Sequence, residues 1–249
     1  MSRTGITGAE LSVGDQAIWQ AEGVQKRTAV RGMFAEIAPT YDLLNSLISF
    51  RLHHRWRAFA VRKLNLKPGD AALDVCCGTG DFMRPLKKAV GQQGRVCGID
   101  FCLPMLEIAR KKGVPAEVGL GDACQLPIRT GALDGVSVGW GIRNVPDIDQ
   151  AHRELCRVLK PGGRFVSLDM AVPRARLVRA ASTFAFHRLV PWLGSLFGKT
   201  QAYTYLPKST QRFLTREELK TSMEKAGFAE VGYKDLFLGN VCVHWGTKR

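Results

Sequence analysis

The cysteines of this sequence form no recognisable metal or disulfide pattern. There are seven of them, an odd number, with no Cys-x-x-Cys pair and no Cys/His cluster at zinc spacing. This arrangement argues against a disulfide framework and against a zinc site, and it indicates small buried thiols in a reducing compartment. We therefore expect a cytoplasmic protein that holds no metal.

Long apolar stretches are also missing. The first 24 residues have no apolar segment of the kind found in signal peptides, and they carry the acids Glu10, Asp15 and Glu22. The longest apolar candidate, residues 189–198, has about half of the roughly 20 residues that a membrane span needs. The sequence thus predicts neither export nor a membrane-spanning helix, and it predicts that residues 1–24 form a flexible tail.

Acidic residues are absent from two long segments. Residues 43–69 contain six Lys/Arg and residues 171–214 contain seven, so these two segments carry nearly all of the net charge of +14. Acid-free basic segments favour a polyanionic partner, which is either a nucleic acid or the surface of an anionic membrane. Charge alone does not choose between these partners.

The rest of the chain alternates between short apolar runs and stretches of about ten residues with helical periodicity. This alternation predicts an α/β fold with a mostly parallel sheet and a C-terminal antiparallel hairpin. The predicted strands are residues 71–75, 95–100, 116–120, 135–140, 164–169, 230–236 and 241–245. The predicted single domain, residues 1–249, comprises the tail, an N-terminal helical cap (25–66), a cofactor-binding core (70–170), a basic helical lid (171–214), and a final helix and hairpin (215–249).

Polar residues follow four predicted strands of the core. They are Asp74 with the turn Gly78-Thr79-Gly80, then Asp100, then Asp122 with Ala123, and finally Gly139 with Arg143 and Asn144. Because ligands of doubly wound sheets bind beyond the carboxyl ends of the strands, we expect these residues to surround one site. Asp100 lies about twenty residues after the glycine turn, where an acid commonly binds ribose hydroxyls. The pattern predicts a cofactor of the nucleoside type.

The glycine turn lacks the third glycine of the nicotinamide fingerprint, because Met83 occupies that position. An adenosyl cofactor without phosphates does not need that glycine. The turn, the ribose acid at Asp100 and a further acid at Asp122 together resemble class I S-adenosylmethionine-dependent methyltransferases. The resemblance implies a Rossmann-like sheet of seven strands with a reversed C-terminal hairpin, and it implies S-adenosylmethionine as the methyl donor.

Segments outside the glycine turn narrow this resemblance to the quinone-ring C-methyltransferases, which methylate demethylmenaquinone or the ubiquinone precursor. The run from Tyr41 to Trp56 is similar to the N-terminal signature of that family, and residues 157–169 are similar to its second signature. Residues 141–145 and 203–213 are similar to further family segments. The likeness extends from about residue 25 to the C-terminus.

The resemblance implies a set of residues around the cofactor. They are Gly78, Thr79, Gly80, Asp100, Asp122 and Ala123, with Gly139 beside them. Asp74 either orients the turn or binds the methionine amine, and the sequence leaves both roles open. The chain departs from the family pattern at Gly139, where many members have Ser, at Leu44, where they have Met, and at Ala171, where the second signature ends in Ser.

A ring carbon becomes nucleophilic when the neighbouring hydroxyl of the reduced quinone loses its proton. Arg143 is predicted to stabilise the resulting anion by its charge, and Asn144 is predicted to position an oxygen. The candidates for taking or relaying the proton are Tyr41, Asp42, His53 and Asp147. Asp147 fits the N-cap of the helix that follows better than it fits this role, and His54 fits a surface position better.

The resemblance also implies the partners: a prenylated quinol as acceptor and an anionic membrane surface, bound peripherally on its inner face by the two acid-free segments. No nucleic acid is expected, because the chain has neither a Pro-Cys pair nor an Asn/Asp-Pro-Pro-aromatic sequence. Three alternatives stay open: a nucleic-acid methyltransferase, a methyltransferase for another phenol such as a tocopherol precursor, and a non-catalytic quinone-binding subunit. The sequence does not separate naphthoquinol from benzoquinol acceptors, and a homo-oligomer is compatible with it.

Overall fold

The computed structural model describes residues 12–13, 16–17, 23–196 and 200–249. Two short strands near the N-terminus, Ser12–Val13 and Gln16–Ala17, pair antiparallel with each other. Most of the predicted tail, residues 1–24, lies outside the described residues.

The N-terminal segment is helical, as its periodicity predicts. Its helices are α1 (Gly23–Ile37), α2 (Tyr41–Ile48) and α3 (Leu52–Leu64), with a 3-10 turn, Ala38–Thr40, between the first two. Pro39 lies in the first positions of that turn, where its missing N–H costs no helical hydrogen bond, and it ends α1. Phe50 and Arg51, between α2 and α3, have φ angles of 50° and 59°. The turn therefore holds two bulky side chains in the left-handed region, which L residues rarely adopt.

Seven strands form the central sheet. They are β1 (Ala71–Val75), β2 (Arg95–Asp100), β3 (Glu117–Leu120), β4 (Leu133–Gly139), β5 (Leu159–Met170), β6 (Phe228–Leu236) and β7 (Val241–Lys248). Their order is β3-β2-β1-β4-β5-β7-β6, and the first five strands are parallel. Strand β7 runs antiparallel to both β5 and β6. The predicted Rossmann-like seven-stranded sheet with a reversed hairpin is confirmed, and its strand order reverses between β1 and β4, where such sheets bind ligands.

Helices connect the parallel strands on both faces of the sheet. They are α4 (Met83–Val90), α5 (Leu103–Lys111) and α6 (Ile148–Val158). The Lys-Pro-Gly-Gly sequence at residues 160–163, of the kind that ends a helix, is part of β5, because that strand begins at Leu159, directly after α6, and pairs there with Leu133. The register of β4 and β5 then shifts, and Gly162 has a φ of 79°. The glycines therefore allow an irregularity inside the strand instead of ending it.

The last helices are α7 (Arg176–Leu196), α8 (Thr200–Arg212) and α9 (Arg216–Lys225). Thr215 and Glu218 form a capping box at the start of α9, since each side chain accepts a hydrogen bond from the other residue's backbone N–H. Helices α7 and α8 arise from the segment predicted as a basic lid. They pack with α1, α2 and α5 around a buried cluster that includes Met33, Leu44 and Tyr205. The cap and the lid thus share one small apolar core.

Strand β2 and helix α4 approach closely because of a glycine on the strand. A Cβ atom added at Gly98 would lie 1.9 Å from Cε of Met83. Met83 itself is fully buried. In the nicotinamide fingerprint a glycine on the helix allows this packing. Here the small residue is on the strand and the large one is on the helix, which explains why the third glycine of that fingerprint is missing.

Candidate active site

A cavity opens at the carboxyl ends of β1 to β4, and we call it the strand-end cavity. Its empty space, which opens to solvent, amounts to about 720 Å³. Five of the predicted cofactor residues line it: Gly78, Asp100, Asp122, Ala123 and Gly139. Helices α1 and α2 close the cavity with Arg27, Phe34 and Tyr41. The sheet therefore supplies its floor and the helical cap supplies its cover.

Asp100 is held at the end of β2 by backbone donors. Its Oδ2 accepts a hydrogen bond from the N–H of Gly78 at 2.8 Å, and its Oδ1 accepts one from the N–H of Cys102 at 2.8 Å. Burial raises the pKa of Asp100, while these two N–H groups oppose the increase. The carboxylate thus fixes the glycine turn and still borders the cavity, where it can accept a hydrogen bond from a ligand hydroxyl group.

Asp122, after β3, lines the same cavity. Its Oδ1 accepts the N–H of Cys124 at 2.9 Å, and its Oδ2 forms an ion pair with Arg27 of α1 at 2.9 Å. Arg27 is half-exposed in this pair. Helix α1 is therefore tied to the strand-end cavity through one of the predicted cofactor residues.

Three predicted cofactor residues do not line the strand-end cavity. Asp74 is buried beneath it, where it accepts the Ser137 hydroxyl at 2.6 Å, and burial raises its pKa to about 7. The Thr79 hydroxyl donates to Asp42 of α2 at 2.5 Å. Gly80 borders a separate polar cleft on the outer side of the turn. Of the two roles left open for Asp74, this placement favours the structural one.

Two glycines shape the walls of the strand-end cavity. Gly78 has a φ of 53°, and a Cβ atom added there would meet no atom within 4 Å, so the turn leaves open space for a ligand. A Cβ atom added at Gly139 would lie 2.4 Å from the ring of Phe82. The ring of Phe82 thus fills the space that a serine side chain would need at position 139.

A second cavity adjoins the first, and we call it the helix-lined cavity. It lies between the helical cap, the lid and the β6–β7 turn, and its empty space, which opens to solvent, amounts to about 840 Å³. Most of its walls are apolar, with Met33, Ile37, Ile48, Trp56, Met170, Phe186, Leu206, Phe237 and Val241 among them. Phe34, Tyr41 and Trp140 line both cavities. These three aromatic residues therefore mark the junction.

Arg143 lines the helix-lined cavity from the 3-10 turn Ile142–Asn144 that follows β4. Its guanidinium pairs with Asp169 at 2.5 Å and donates to the carbonyl of Trp140 at 2.8 Å. Burial lowers the pKa of Arg143, whereas the charge of Asp169 raises it. The pKa of Arg143 therefore lies above its usual value. Its Nε is buried and has no hydrogen-bond partner among the residues that the structure describes. Arg143 is thus a fixed cation in the wall of the helix-lined cavity.

Asn144 and Tyr41 lie near the junction. The side-chain amide of Asn144 donates to the carbonyl of Trp140 at 3.1 Å, and its oxygen accepts the hydroxyl of Tyr205 at 2.9 Å. Burial raises the pKa of Tyr41, although Arg57 and Arg143 oppose the increase. A phenol of this kind stays protonated at neutral pH. The geometry therefore supports Tyr41 as a hydrogen-bond donor better than as a base.

His53 lines the helix-lined cavity and also the polar cleft outside it. Its Nδ1 contacts Nη1 of Arg57, and its Nε2 lies 3.3 Å from the Ser46 hydroxyl. Burial, followed by the charge of Arg57, lowers its pKa to about 4. His53 is therefore uncharged at neutral pH.

Asp42 and Asp147 were the two other proton-transfer candidates. Asp147 is the N-cap of α6, since its Oδ1 accepts the N–H of Gln150 at 2.8 Å. Asp42 faces the polar cleft, where it pairs with Lys112 at 2.7 Å. Lys112 also pairs with Asp81 at 2.9 Å. These contacts connect α2 to the glycine turn and give Asp42 a structural role.

The sequence did not single out Arg57, Trp140 or Asp169. Arg57 is four residues after His53 on α3, so helical spacing places both on one face, and that was the available signal. Trp140 follows the end of β4 with a φ of 55°, a conformation that no pattern of residue types foretells. Asp169 ends a signature segment, and its pairing with Arg143 across two strands appears only in the folded chain.

The strand-end cavity suits an adenosyl cofactor. Its charged groups are the carboxylates of Asp100 and Asp122 and the guanidinium of Arg27, which Asp122 already neutralises. Acidic acceptors match ribose hydroxyls and a cationic donor group, whereas a pyrophosphate would need an excess of positive charge or helix N-termini. The open space at Gly78 allows a ligand to approach the backbone.

Comparisons with known proteins agree with this geometry. The model of the ubiE/COQ5 methyltransferase family matches residues 22–248. A demethylmenaquinone methyltransferase of Desulfitobacterium hafniense strain Y51 is 38% identical over 241 residues, covering 94% of this chain and 95% of that protein. A demethylmenaquinone methyltransferase of Staphylococcus aureus strain JH9 is 40% identical over 232 residues, covering 92% of this chain and 96% of that protein.

Solved structures share the fold. A SAM-dependent methyltransferase from Thermotoga maritima superimposes with a TM-score of 0.63 at 24% identity, covering 88% of this chain and 99% of that one. A phosphoethanolamine N-methyltransferase from Haemonchus contortus, in complex with S-adenosyl-L-methionine, gives a TM-score of 0.56 at 17% identity. It covers 77% of this chain and 52% of that one. At these identities the likeness concerns the fold alone.

Proposed function

Because the chain belongs to the ubiE/COQ5 methyltransferase family, we propose that it methylates a ring carbon of a prenylated quinol, with demethylmenaquinol as the acceptor. Two predictions from the sequence are confirmed: that the chain belongs to this family, and that it is an S-adenosylmethionine-dependent methyltransferase. The naphthoquinol acceptor is inferred from the two relatives, which are demethylmenaquinone methyltransferases. The ubiquinone precursor is the second acceptor to test.

The observation that carries the proposal is the pair of adjoining cavities. The strand-end cavity has the acids for an adenosyl group, and the helix-lined cavity has the apolar walls for a prenylated ring. Tyr41 and Trp140 line both cavities, so two ligands bound in them would meet at these aromatic side chains. Holding both reactants in line and excluding water is the main contribution that a methyltransferase needs to make.

Gly78, Asp100, Asp122 and Ala123 would hold S-adenosylmethionine, which when bound supplies an electrophilic methyl group. Arg143 acts on the acceptor. Its unpartnered Nε–H, backed by the full charge of the guanidinium, donates to the ring oxygen next to the methylated carbon and favours the anion of that oxygen. Asn144 stays in place through Trp140 and Tyr205, and it orients the ring at the junction.

His53 is the residue that we assign to removing the proton. It borders both the helix-lined cavity and the polar cleft, so it connects the buried ring with the outside. Its pKa of about 4 makes it a weak base, which is uncharged at neutral pH before it takes the proton and returns the proton readily afterwards. A weak base is sufficient because Arg143 lowers the pKa of the quinol hydroxyl.

We further propose that the mouth of the helix-lined cavity contacts an anionic membrane. Phe50 of the α2–α3 turn and Leu238 of the β6–β7 turn are each 78% exposed, and both have positive φ angles. Trp56 of α3 contacts Phe237 of the β6–β7 turn, with ring centroids 5.5 Å apart, so the two turns lie on adjoining elements. Exposed bulky apolar side chains at turns, beside a basic segment, are typical of a surface that binds at a membrane–water interface. Across residues 23–196 and 200–249, no helix has the length and hydropathy of a membrane span.

The decisive experiment is an anaerobic assay of the purified protein with S-adenosylmethionine and short-chain forms of the two reduced demethylated quinones. We expect the naphthoquinol to gain the mass of one methyl group on a ring carbon. Transfer to neither quinol would contradict the proposal. Flotation with anionic and neutral vesicles tests the membrane contact, and the protein should prefer anionic vesicles. Replacing Phe50 and Leu238 by Ser should weaken that binding.

A further inference from the structure

Arg57 occupies an unusual position for an arginine that no signature singles out. It lies on α3 with only 5% of its surface exposed, and it lines both the helix-lined cavity and the polar cleft. Within residues 23–196 and 200–249, its Nε is buried and has no hydrogen-bond partner. A buried donor without a partner costs free energy, so its presence beside an open cavity points to a ligand that completes it.

The rest of the Arg57 guanidinium is fixed from several sides. Nη2 pairs with Asp81 at 3.2 Å, and Nη1 contacts Nδ1 of His53. Its Cζ lies 4.6 Å from the ring centroid of Trp140 and 5.7 Å from that of Phe82. These ion-pair, hydrogen-bond and cation–π contacts hold the group in one orientation. The unpartnered Nε is therefore a pre-positioned donor.

Arg57 and Arg143 flank Trp140 in complementary ways. Arg57 packs against the indole ring, and Arg143 donates to the backbone carbonyl of the same residue. Each has an unpartnered Nε, and both line the helix-lined cavity. Both charges also act on Tyr41 at the junction. The cavity therefore offers two separate cationic donors to one bound ring.

We propose that Arg57 binds a second oxygen of the acceptor ring, so that the enzyme selects dihydroxy aromatic acceptors over monophenols. This inference rests on the proposed function, because it takes Arg143 to hold the first oxygen, next to the methylated carbon. A site built to hydrogen-bond an oxygen rejects the analogue that lacks it, since the buried N–H is then left unpaired. The expected preference is about 10- to 100-fold in affinity, the range for a hydrogen bond to a charged group.

The test compares two probes of equal tail length. One is 1,4-naphthalenediol with a prenyl group at carbon 3, and the other is 3-prenyl-1-naphthol, which keeps the hydroxyl next to the methylated carbon. Dissociation constants are measured anaerobically by quenching of tryptophan fluorescence, which Trp56 and Trp140 report from the cavity walls. Affinity is compared rather than turnover, so that the different reactivity of the two rings does not enter.

The wild-type protein should bind the diol about 10- to 100-fold more tightly than the monophenol. Arg57→Lys keeps the charge opposite Asp81 but presents no N–H at the Nε position, so it should bind both probes alike and retain S-adenosylmethionine affinity by calorimetry. Arg57→Gln is the second variant if the lysine protein is unstable. Arg62→Lys, an exposed position on the same helix, is the matched control and should discriminate as the wild type does.

Two results would overturn the assignment. One is a wild-type protein that binds both probes equally. The other is an Arg57→Lys variant that loses affinity for both to the same extent, as a purely structural residue would. Methylation of the diol by the wild type is recorded in parallel. If the diol is methylated without discrimination, this inference fails alone, whereas the absence of methylation would remove the proposed function as well.

Discussion

The two cavities are built in different ways. The strand-end cavity takes its acids from the ends of neighbouring strands, and backbone N–H groups hold them, as Gly78 and Cys102 hold Asp100. The helix-lined cavity takes its polar groups from α2, α3 and the turn after β4, and side chains hold them, as Asp169 holds Arg143. Backbone positions depend on the sheet as a whole. Side-chain positions depend on individual partners.

This difference predicts which properties of the enzyme a single substitution in each cavity should change. A change in the strand-end cavity removes one ligand contact from a frame that survives it. A change in the helix-lined cavity removes a contact and also the partner of another buried group. The first kind should alter affinity for the donor alone, and the second should alter catalysis and stability together. The following predictions test that contrast.

The largest effect is expected at Arg143. Arg143→Gln should lower kcat by about 100- to 1,000-fold, the usual loss for one oxyanion donor. It should also lower the free energy of unfolding by about 3–5 kcal/mol, because Asp169 is left as an unpaired buried charge. The KM for S-adenosylmethionine should stay within a few-fold. Steady-state kinetics and urea unfolding measure the three quantities.

Asp169→Asn is the matched control for Arg143→Gln. It breaks the same ion pair but leaves the guanidinium in the cavity, so it should lose stability while retaining much more of kcat. If both variants lose kcat to the same extent, the arginine acts only through the fold, and the contrast between catalysis and stability disappears.

A smaller and more selective effect is expected at Asp100. Asp100→Asn replaces the acceptor for ribose hydroxyls and should raise the KM for S-adenosylmethionine by about 10- to 100-fold. The KM for the quinol should not change. The double variant Asp100→Asn with Arg57→Lys should change kcat/KM by the product of the factors of the two single variants, because each substitution acts in its own cavity. A strong departure from that product would show that the cavities are coupled.

The same contrast explains what could be predicted from the sequence. The strand ends, the glycine turn and Asp100 follow from alternation and spacing, since the carboxyl ends of parallel strands meet at one edge of the sheet. Arg143 was found as a polar residue after a predicted strand and His53 through a resemblance, whereas Arg57 was not found at all. Its partners Asp81 and Trp140 lie 24 and 83 positions away, and a periodicity cannot register such contacts. Thr79 of the glycine turn matches the motif, yet its hydroxyl donates a hydrogen bond to Asp42 of α2 and does not line the strand-end cavity.

The smallest expected effect is the pH dependence of the free energy of unfolding, and its sign differs between Asp74 and His53. Asp74, below the strand-end cavity, has a pKa raised by burial from 3.8 to about 7. Between these values the unfolded chain has lost a proton that the folded chain keeps, so this contribution to stability is complete below pH 3.8 and is lost as pH rises to about 7. His53, in the helix-lined cavity, has a pKa lowered by burial from 6.5 to about 4. Its contribution is complete above pH 6.5 and is lost as pH falls to about 4.

Two variants separate these contributions. Asp74→Asn keeps an acceptor for the Ser137 hydroxyl but cannot ionise, so its free energy of unfolding relative to the wild type should improve as pH rises from 4 to 7. His53→Gln should instead improve relative to the wild type as pH falls from 6.5 to 4. Buried His152 and His244, whose pKa values are also about 4, remain in both variants and cancel from these differences. Urea unfolding at half-unit steps of pH gives both curves. If the stability curve of each variant ran parallel to that of the wild type, neither residue would have the burial-shifted pKa that distinguishes the two sides of the site.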